Sequence, residues 1–161
     1  MKESRRQYHP YGNIDPFKIP EVADKVLDEY MGITEDLGIQ TFLLFGVVLG
    51  LIRDGTPYIE GDNDIDVGIL GNFEKLKIEL VKNGFIWKHA WKTNTHFLKY
   101  NILFDVFSSF HDKRLFQSPK FFQSFDKITY KNKEYNVPHP VEEYLKETYN
   151  DWRTIKHRKV W

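Results

Sequence analysis

The chain has 161 residues, of which 41% are hydrophobic and 29% charged, and it contains no cysteine. Lysine plus arginine and aspartate plus glutamate number 23 each, so the formal net charge is zero. This length and composition predict one globular domain, and the lack of cysteine excludes disulfides and thiolate metal sites. The zero net charge argues against long-range attraction to nucleic acid, so we expect no nucleic-acid partner.

The longest apolar run, Phe42 to Ile52, is interrupted by two glycines. It is shorter than the roughly 20 residues that a membrane-spanning helix needs, so we expect no integral membrane segment. The N-terminal residues lack the apolar stretch of a signal peptide. These features predict a cytoplasmic protein.

Residues 1–19 are polar and rich in turn-forming residues, which predicts an irregular N-terminal arm. A single domain is predicted over residues 20–161. Pro20 can occupy the first position of a helix, in which apolar residues recur at helical spacing until Gly38 ends it.

The remaining elements follow from apolar periodicity and from turn and capping residues. Strands are predicted at residues 39–45, 65–69, 85–91, 96–100 and 102–107, and a hairpin at 128–130 and 135–137. Helices are predicted at residues 47–53, from the Asn72 cap to Gly84, and from Pro140 onward. This order predicts an α+β fold, with a mixed or antiparallel sheet flanked by helices.

Acidic residues cluster where the second predicted strand begins. Side chains alternate along a strand, so Asp64 and Asp66 share one face while their apolar neighbours point into the core. Two carboxylates about 4 Å apart repel by about 4 kcal/mol at an effective dielectric constant of 20. A divalent cation removes this repulsion by binding carboxylate oxygens. The pattern predicts a Mg²⁺ or Mn²⁺ site, with Asp62 just before the strand as a further candidate ligand in an outer or loop position.

Asp105 lies within an otherwise apolar strand. Burying its carboxylate without a partner would be costly, and placing it beside Asp64 and Asp66 resolves that problem. Three carboxylates on neighbouring strands can hold one or two ions, which can clamp the attacking and leaving oxygens of a phosphoryl displacement. We therefore predict these three aspartates to be catalytic. A purely structural hydrogen-bonding role for Asp105 is the alternative.

The acidic stretch has two other interpretations, a calcium loop and a polar turn. A calcium loop of the EF-hand type needs glycine at the position of Val67 and glutamate at the position of Phe73, so the sequence fails at both. A polar turn leading into an edge strand, without chemistry, stays open because turns collect aspartate and asparagine.

A second candidate feature is the glycine turn before the second helix. Gly46 lets the backbone turn tightly and leaves room for a ligand, and the N–H groups at the helix start, including that of Val47, can bind a phosphate. Arg53 can reach the same anion, although an exposed helical arginine is the alternative. Lys99 can neutralise a phosphate, with an exposed strand cation as the alternative.

This combination resembles the nucleotidyltransferase superfamily, whose pattern is a glycine turn, two alternating aspartates and a third acidic residue on a later strand. More narrowly, the chain resembles the LicD/fukutin-related branch. The residues that carry this resemblance lie at 46–55, 59–68, 137–145 and 149–153. Val47 stands where that branch usually has serine or threonine.

The resemblance implies transfer of a phosphorylated alcohol, such as phosphocholine or a polyol phosphate, from a CDP-linked donor to a glycan hydroxyl. It implies that Asp64, Asp66 and Asp105 hold the metal and that Gly46 and Arg53 contact the donor phosphate. One alternative is transfer of NMP from an NTP to a small molecule or a protein. The other alternative is a degenerate domain that binds nucleotide without chemistry.

Overall fold

The computed structural model describes residues 12–110 and 118–155. The helices are α1 (Pro20–Leu37), α2 (Phe45–Asp54), α3 (Phe73–Lys82) and α4 (Val141–Tyr149), with short 3-10 helices at Pro16–Lys18 and Pro119–Phe122. The strands are β1 (Gln40–Leu43), β2 (Asp64–Leu70), β3 (Ile86–Ala90), β4 (Asn94–Lys99), β5 (Ile102–Phe107), β6 (Phe125–Tyr130) and β7 (Lys133–Pro138). Each helix and strand predicted from the sequence has a counterpart here, with ends that differ by a few residues.

The strands form two sheets. Five of them lie in the order β1-β2-β5-β4-β3, and β6 pairs with β7 in a separate hairpin. Strands β2 and β5 run parallel, whereas the other neighbouring pairs are antiparallel. The predicted α+β fold with a mixed sheet flanked by helices is therefore confirmed.

The core lies between the sheet and helices α1 and α3. Tyr30 of α1 packs against Phe104 of β5 with ring centroids 4.7 Å apart, and Phe85 meets the same ring edge-on at 5.7 Å. All three side chains are at most 1% exposed. Because each aromatic side chain buries on the order of 150–250 Å², this layer is a large part of the core. On the opposite face, which carries the aspartates, Phe42 of β1 packs against Phe110, Phe122 and Phe125.

Local signals account for the ends of the helices. Gly38 follows α1 with φ of 65°, a left-handed conformation that glycine adopts readily, and its N–H bonds to the end of that helix. Asn72 caps α3, as predicted, because its side chain accepts a 3.1 Å hydrogen bond from the Lys75 N–H. Gly38 therefore fixes where the chain leaves α1 for β1, and Asn72 fixes where it enters α3 after β2.

The predicted irregular arm, residues 1–19, falls within the described residues only from Gly12. In this part of the arm, Pro16–Lys18 forms a 3-10 helix. The Ile14 N–H also donates a 2.7 Å hydrogen bond to the Asn101 carbonyl, which ties this segment to the end of the sheet. Within residues 12–110 and 118–155, no helix combines the length and the apolar character needed to cross a membrane.

Candidate active site

Parallel pairing of β2 and β5 sets Asp66 directly opposite Asp105. Asp64 lies two residues earlier on β2 and therefore faces the same side. Each of the three offers a carboxylate oxygen, and these oxygens lie within 4.8 Å of one another. The side chains are 7%, 8% and 1% exposed for Asp64, Asp66 and Asp105. The structure thus brings together the three aspartates that were predicted from the sequence to hold a metal ion.

The cluster is electrostatically costly. Burial raises the pKa of Asp66 well above its usual range, and the negative charges of Asp64, Asp105 and Asp62 raise it further. A raised carboxyl pKa means that the environment disfavours the charged form. A hard divalent cation reverses that preference, since carboxylate oxygens are its favoured ligands. The donor set of this site therefore fits Mg²⁺ or Mn²⁺.

Strand β4 supplies two polar side chains that hold Asp105. Asn94 Nδ2 lies 2.8 Å from each carboxylate oxygen of Asp105, and His96 Nε2 lies 3.3 Å from Oδ2. Asn94 and His96 are 9% and 6% exposed, and His96 is paired in register with Asp105. Hydrogen bonds of this kind fix the orientation of a ligand carboxylate. Neither residue was predicted to act at the site: the predicted strand began after Asn94, and the register that sets His96 opposite Asp105 is a tertiary feature.

Gly46 is needed for a reason other than the one predicted. The left-handed backbone belongs to Phe45, at φ of 49°, and Gly46 itself has no positive φ. A Cβ on Gly46 would overlap Asp62 Oδ2 and lie 3.1 Å from Asp62 Cγ. The space at this glycine therefore holds a protein carboxylate, and the expectation of ligand space there is corrected. Asp62 in turn stays near enough to Asp66 to raise its pKa.

Helix α4 closes the site beside the start of α2. The Phe45 N–H donates a 3.0 Å hydrogen bond to the Tyr144 hydroxyl. Burial raises the pKa of Tyr144, and the charge of Asp66 adds to the effect. Burial also raises the pKa of Tyr149, with further contributions from Tyr144 and from the aspartates of β2 and the loop before it. Both tyrosines lie in segments that carry the family resemblance, but their nearness to the aspartates was not predicted, since it depends on packing of distant segments.

Of the predicted phosphate contacts, Val47 is 1% exposed and its side chain belongs to the core. Arg53 is not an exposed cation, because its side chain is 9% exposed and its Nε and Nη2 bond to Asp54 at 2.8 and 2.9 Å. Its Nη1 is buried and has no hydrogen-bond partner among the described residues. Two of the three guanidinium nitrogens of Arg53 are thus bonded to its neighbour Asp54.

Lys99 lies away from the carboxylates. It is three residues after His96 on β4, so its side chain is on the opposite face of the sheet. Its ammonium group donates to the Asn83 carbonyl and lies 3.3 Å from Glu29 of α1. The expectation that Lys99 neutralises a donor phosphate is not met by this placement.

The sequence matches no protein-family model, and a search of curated proteins gave no significant match. Solved structures do resemble it. The lincosamide antibiotic adenylyltransferase LnuA, with lincomycin bound, superposes with a TM-score of 0.60 at 12% identity, over 84% of this chain and 90% of that one. ANT(2″)-Ia in complex with adenylyl-2″-tobramycin gives a TM-score of 0.55 at 8% identity, over 71% of this chain and 67% of that one.

The chain has the nucleotidyltransferase fold. The neighbours therefore share the fold that the broader resemblance predicts. They give no support to the narrower LicD/fukutin-related assignment.

Proposed function

We propose that this protein is a metal-dependent nucleotidyltransferase that transfers NMP from an NTP to a hydroxyl of a small molecule. The buried cluster of Asp64, Asp66 and Asp105 carries the proposal, because its carboxylate oxygens lie within 4.8 Å of one another and its negative charge would be offset by a bound cation. The fold supports it, since one similar structure is an adenylyltransferase and another holds an adenylylated product. In the sequence analysis, NMP transfer was the first alternative to transfer of a phospho-alcohol from a CDP-linked donor.

The three aspartates would hold Mg²⁺ or Mn²⁺, with Asp62 behind them. A bound divalent ion supplies positive charge that offsets the negative charge of the triphosphate and of the developing leaving group. Asn94 and His96 keep the Asp105 carboxylate in one orientation. Asp105 Oδ1 receives one of these hydrogen bonds, from Asn94, and so retains a lone pair that can accept the acceptor proton.

The reaction we propose balances as follows. The acceptor hydroxyl oxygen forms a bond to the α-phosphorus, the bond from that phosphorus to the β-phosphate oxygen breaks, and pyrophosphate leaves. The hydroxyl proton passes to Asp105. The N–H groups of Gly46 and Val47, in the first turn of α2, lack intrahelical acceptors and can donate to a donor phosphate. Arg53 and Lys99, committed to other partners, have no part in this proposal.

Transfer of a phospho-alcohol from a CDP-linked donor to a glycan is the second candidate. It is favoured by the hydrogen bond between Phe45 and Tyr144, which joins the residue just before segment 46–55 to segment 137–145, and both segments carry the LicD/fukutin-related resemblance. In that reaction the acceptor attacks the phosphorus that bears the alcohol, and CMP leaves. The leaving group therefore distinguishes the two candidates.

The test uses the protein with Mg²⁺ and either each NTP or CDP-choline, with lincomycin, tobramycin and methyl glycosides as acceptor probes. Pyrophosphate and CMP are measured in the same samples. We expect pyrophosphate from an NTP, and no product from Asp64→Asn or Asp66→Asn variants. CMP from CDP-choline without pyrophosphate from any NTP would replace the proposal with the second candidate.

Donor binding can be measured without an acceptor. We expect Mg²⁺ with a non-hydrolysable α,β-methylene NTP to raise the melting temperature more than Mg²⁺ with CDP-choline does. Stabilisation by neither nucleotide would contradict both candidates.

A further inference from the structure

A group of aromatic rings continues the acidic row of the sheet toward its edge. His96 is paired in register with Asp105 on one side and with His89 of β3 on the other, so all three side chains share one face. Trp91 follows β3 directly. Its ring centroid lies 4.4 Å from that of His89 and 6.1 Å from that of His96. We call His89, Trp91 and His96 the aromatic shelf.

The shelf combines contact with the site and exposure to solvent. His96 is 6% exposed, and its Nε2 lies 3.3 Å from the Asp105 carboxylate. Trp91 is 60% exposed, although a side chain of its size is usually well buried. Core packing therefore does not account for the position of Trp91. Because His96 lies near both the Trp91 ring and the Asp105 carboxylate, a ligand that covers this ring would lie close to the carboxylates.

Resting on the proposed function, we propose that the aromatic shelf is the acceptor subsite, and that it binds a saturated ring that carries hydroxyl groups. The flat indole of Trp91 offers an apolar surface for the face of such a ring. His89 offers ring nitrogens that can donate to or accept from ring hydroxyls. A hydroxyl on the edge nearest His96 then points toward Asp105, where the proton is accepted.

The shape of the shelf favours a closed ring over a linear polyol. A linear polyol lacks a flat face and has more rotational freedom to lose on binding.

The other exposed tryptophan of the sheet provides a matched control. Trp87 is 47% exposed and is paired in register with Phe97, so it lies on the opposite face from His96. There the Lys77 ammonium group sits 4.7 Å from its ring centroid. Trp87 and Trp91 thus have similar size and exposure, and only Trp91 adjoins the carboxylates.

The experiment follows the indole N–H signals of ¹⁵N-labelled full-length protein, assigned with Trp91→Phe and Trp87→Phe variants. The probes are methyl β-D-glucopyranoside and myo-inositol, and ribitol is the linear control. We expect both ring compounds to shift the Trp91 signal saturably, with the Trp87 signal unmoved and ribitol without effect. We also expect Trp91→Ala to weaken methyl glucoside binding about tenfold at an unchanged melting temperature, and Trp87→Ala to leave it unchanged.

An unmoved Trp91 signal, or an equal response to ribitol, would overturn the proposal, as would an equal loss of binding in Trp87→Ala. These measurements need no turnover. A protein that binds the rings but releases no pyrophosphate would contradict the proposed function and leave the aromatic shelf as a ring-binding site. A protein that releases pyrophosphate but shows no Trp91 response would support the proposed function and contradict the aromatic shelf as the acceptor subsite.

Discussion

Replacing Asp66 by asparagine should stabilise the metal-free protein. The Asp64, Asp66 and Asp105 oxygens lie within 4.8 Å of one another. At that separation two charged carboxylates repel by about 3.5 kcal/mol at an effective dielectric constant of 20. The raised Asp66 pKa relieves part of this repulsion by protonation, so we expect a gain of about 1–3 kcal/mol at pH 8. For a chain of this length that corresponds to a melting temperature about 3–10 °C higher.

The stability that Asp66→Asn gains over the wild type should increase as the pH rises. The folded-state pKa of Asp66 is raised above its unfolded value, so the folded protein holds this proton to higher pH than the unfolded chain does. Near pH 3 the carboxyl is neutral in both states, and wild type and Asp66→Asn should match. As the pH rises from about 4 toward the folded pKa, the wild type loses stability relative to the variant.

The assay is thermal unfolding in EDTA and in Mg²⁺ across that pH range, with Asp36→Asn, an exposed substitution on α1, as the control. In EDTA the Asp66→Asn variant should unfold at the higher temperature, and in saturating Mg²⁺ the order should reverse. A variant that is no more stable than wild type in EDTA, or that retains the full stabilisation by Mg²⁺, would refute the electrostatic account of the site.

Three further substitutions test the supports of the site. Gly46→Ala should displace the Asp62 carboxylate and weaken Mg²⁺ binding in calorimetry, and unchanged affinity would show that Asp62 is not held there for the metal. Asn94→Ala removes a donor to both Asp105 oxygens and should lower Mg²⁺ affinity about 10- to 100-fold, with glutamine as a partial rescue. Equal losses in both Asn94 variants would contradict a positioning role. Tyr144→Phe removes the acceptor at the start of α2 and should lower the free energy of unfolding in urea by about 1 kcal/mol, whereas no change would discount that hydrogen bond.

Much of the fold is encoded locally and was predictable. The alternation of Ile65 and Val67 with aspartates identifies a strand with one apolar face, and Gly38 and Asn72 mark helix ends through their own backbone and side-chain chemistry. Asp105 could be placed near the other carboxylates because an unpaired charge in an apolar strand is costly. The parallel pairing that puts it opposite Asp66 comes from the topology of the whole sheet.

The rest of the site depends on tertiary packing that no local pattern encodes. Asn94 and Tyr144 reach the site through strand register and through contact between distant helices. The pairing of His96 with Asp105 also decides on which face Lys99 lies, three residues further along β4. At Gly46 the need for a small residue was predictable, but the occupant of the space, Asp62, was not.

The central claim is that the buried aspartates form a divalent-metal site, and a titration of Mn²⁺ followed by electron paramagnetic resonance tests it most directly. Signal from free Mn²⁺ should disappear as the wild-type protein binds one or two ions. Asp64→Asn, Asp66→Asn and Asp105→Asn variants should each bind at least tenfold more weakly, and Asp36→Asn should match the wild type. Wild-type protein that leaves the free signal undiminished, or triad variants that bind as the wild type does, would contradict the account.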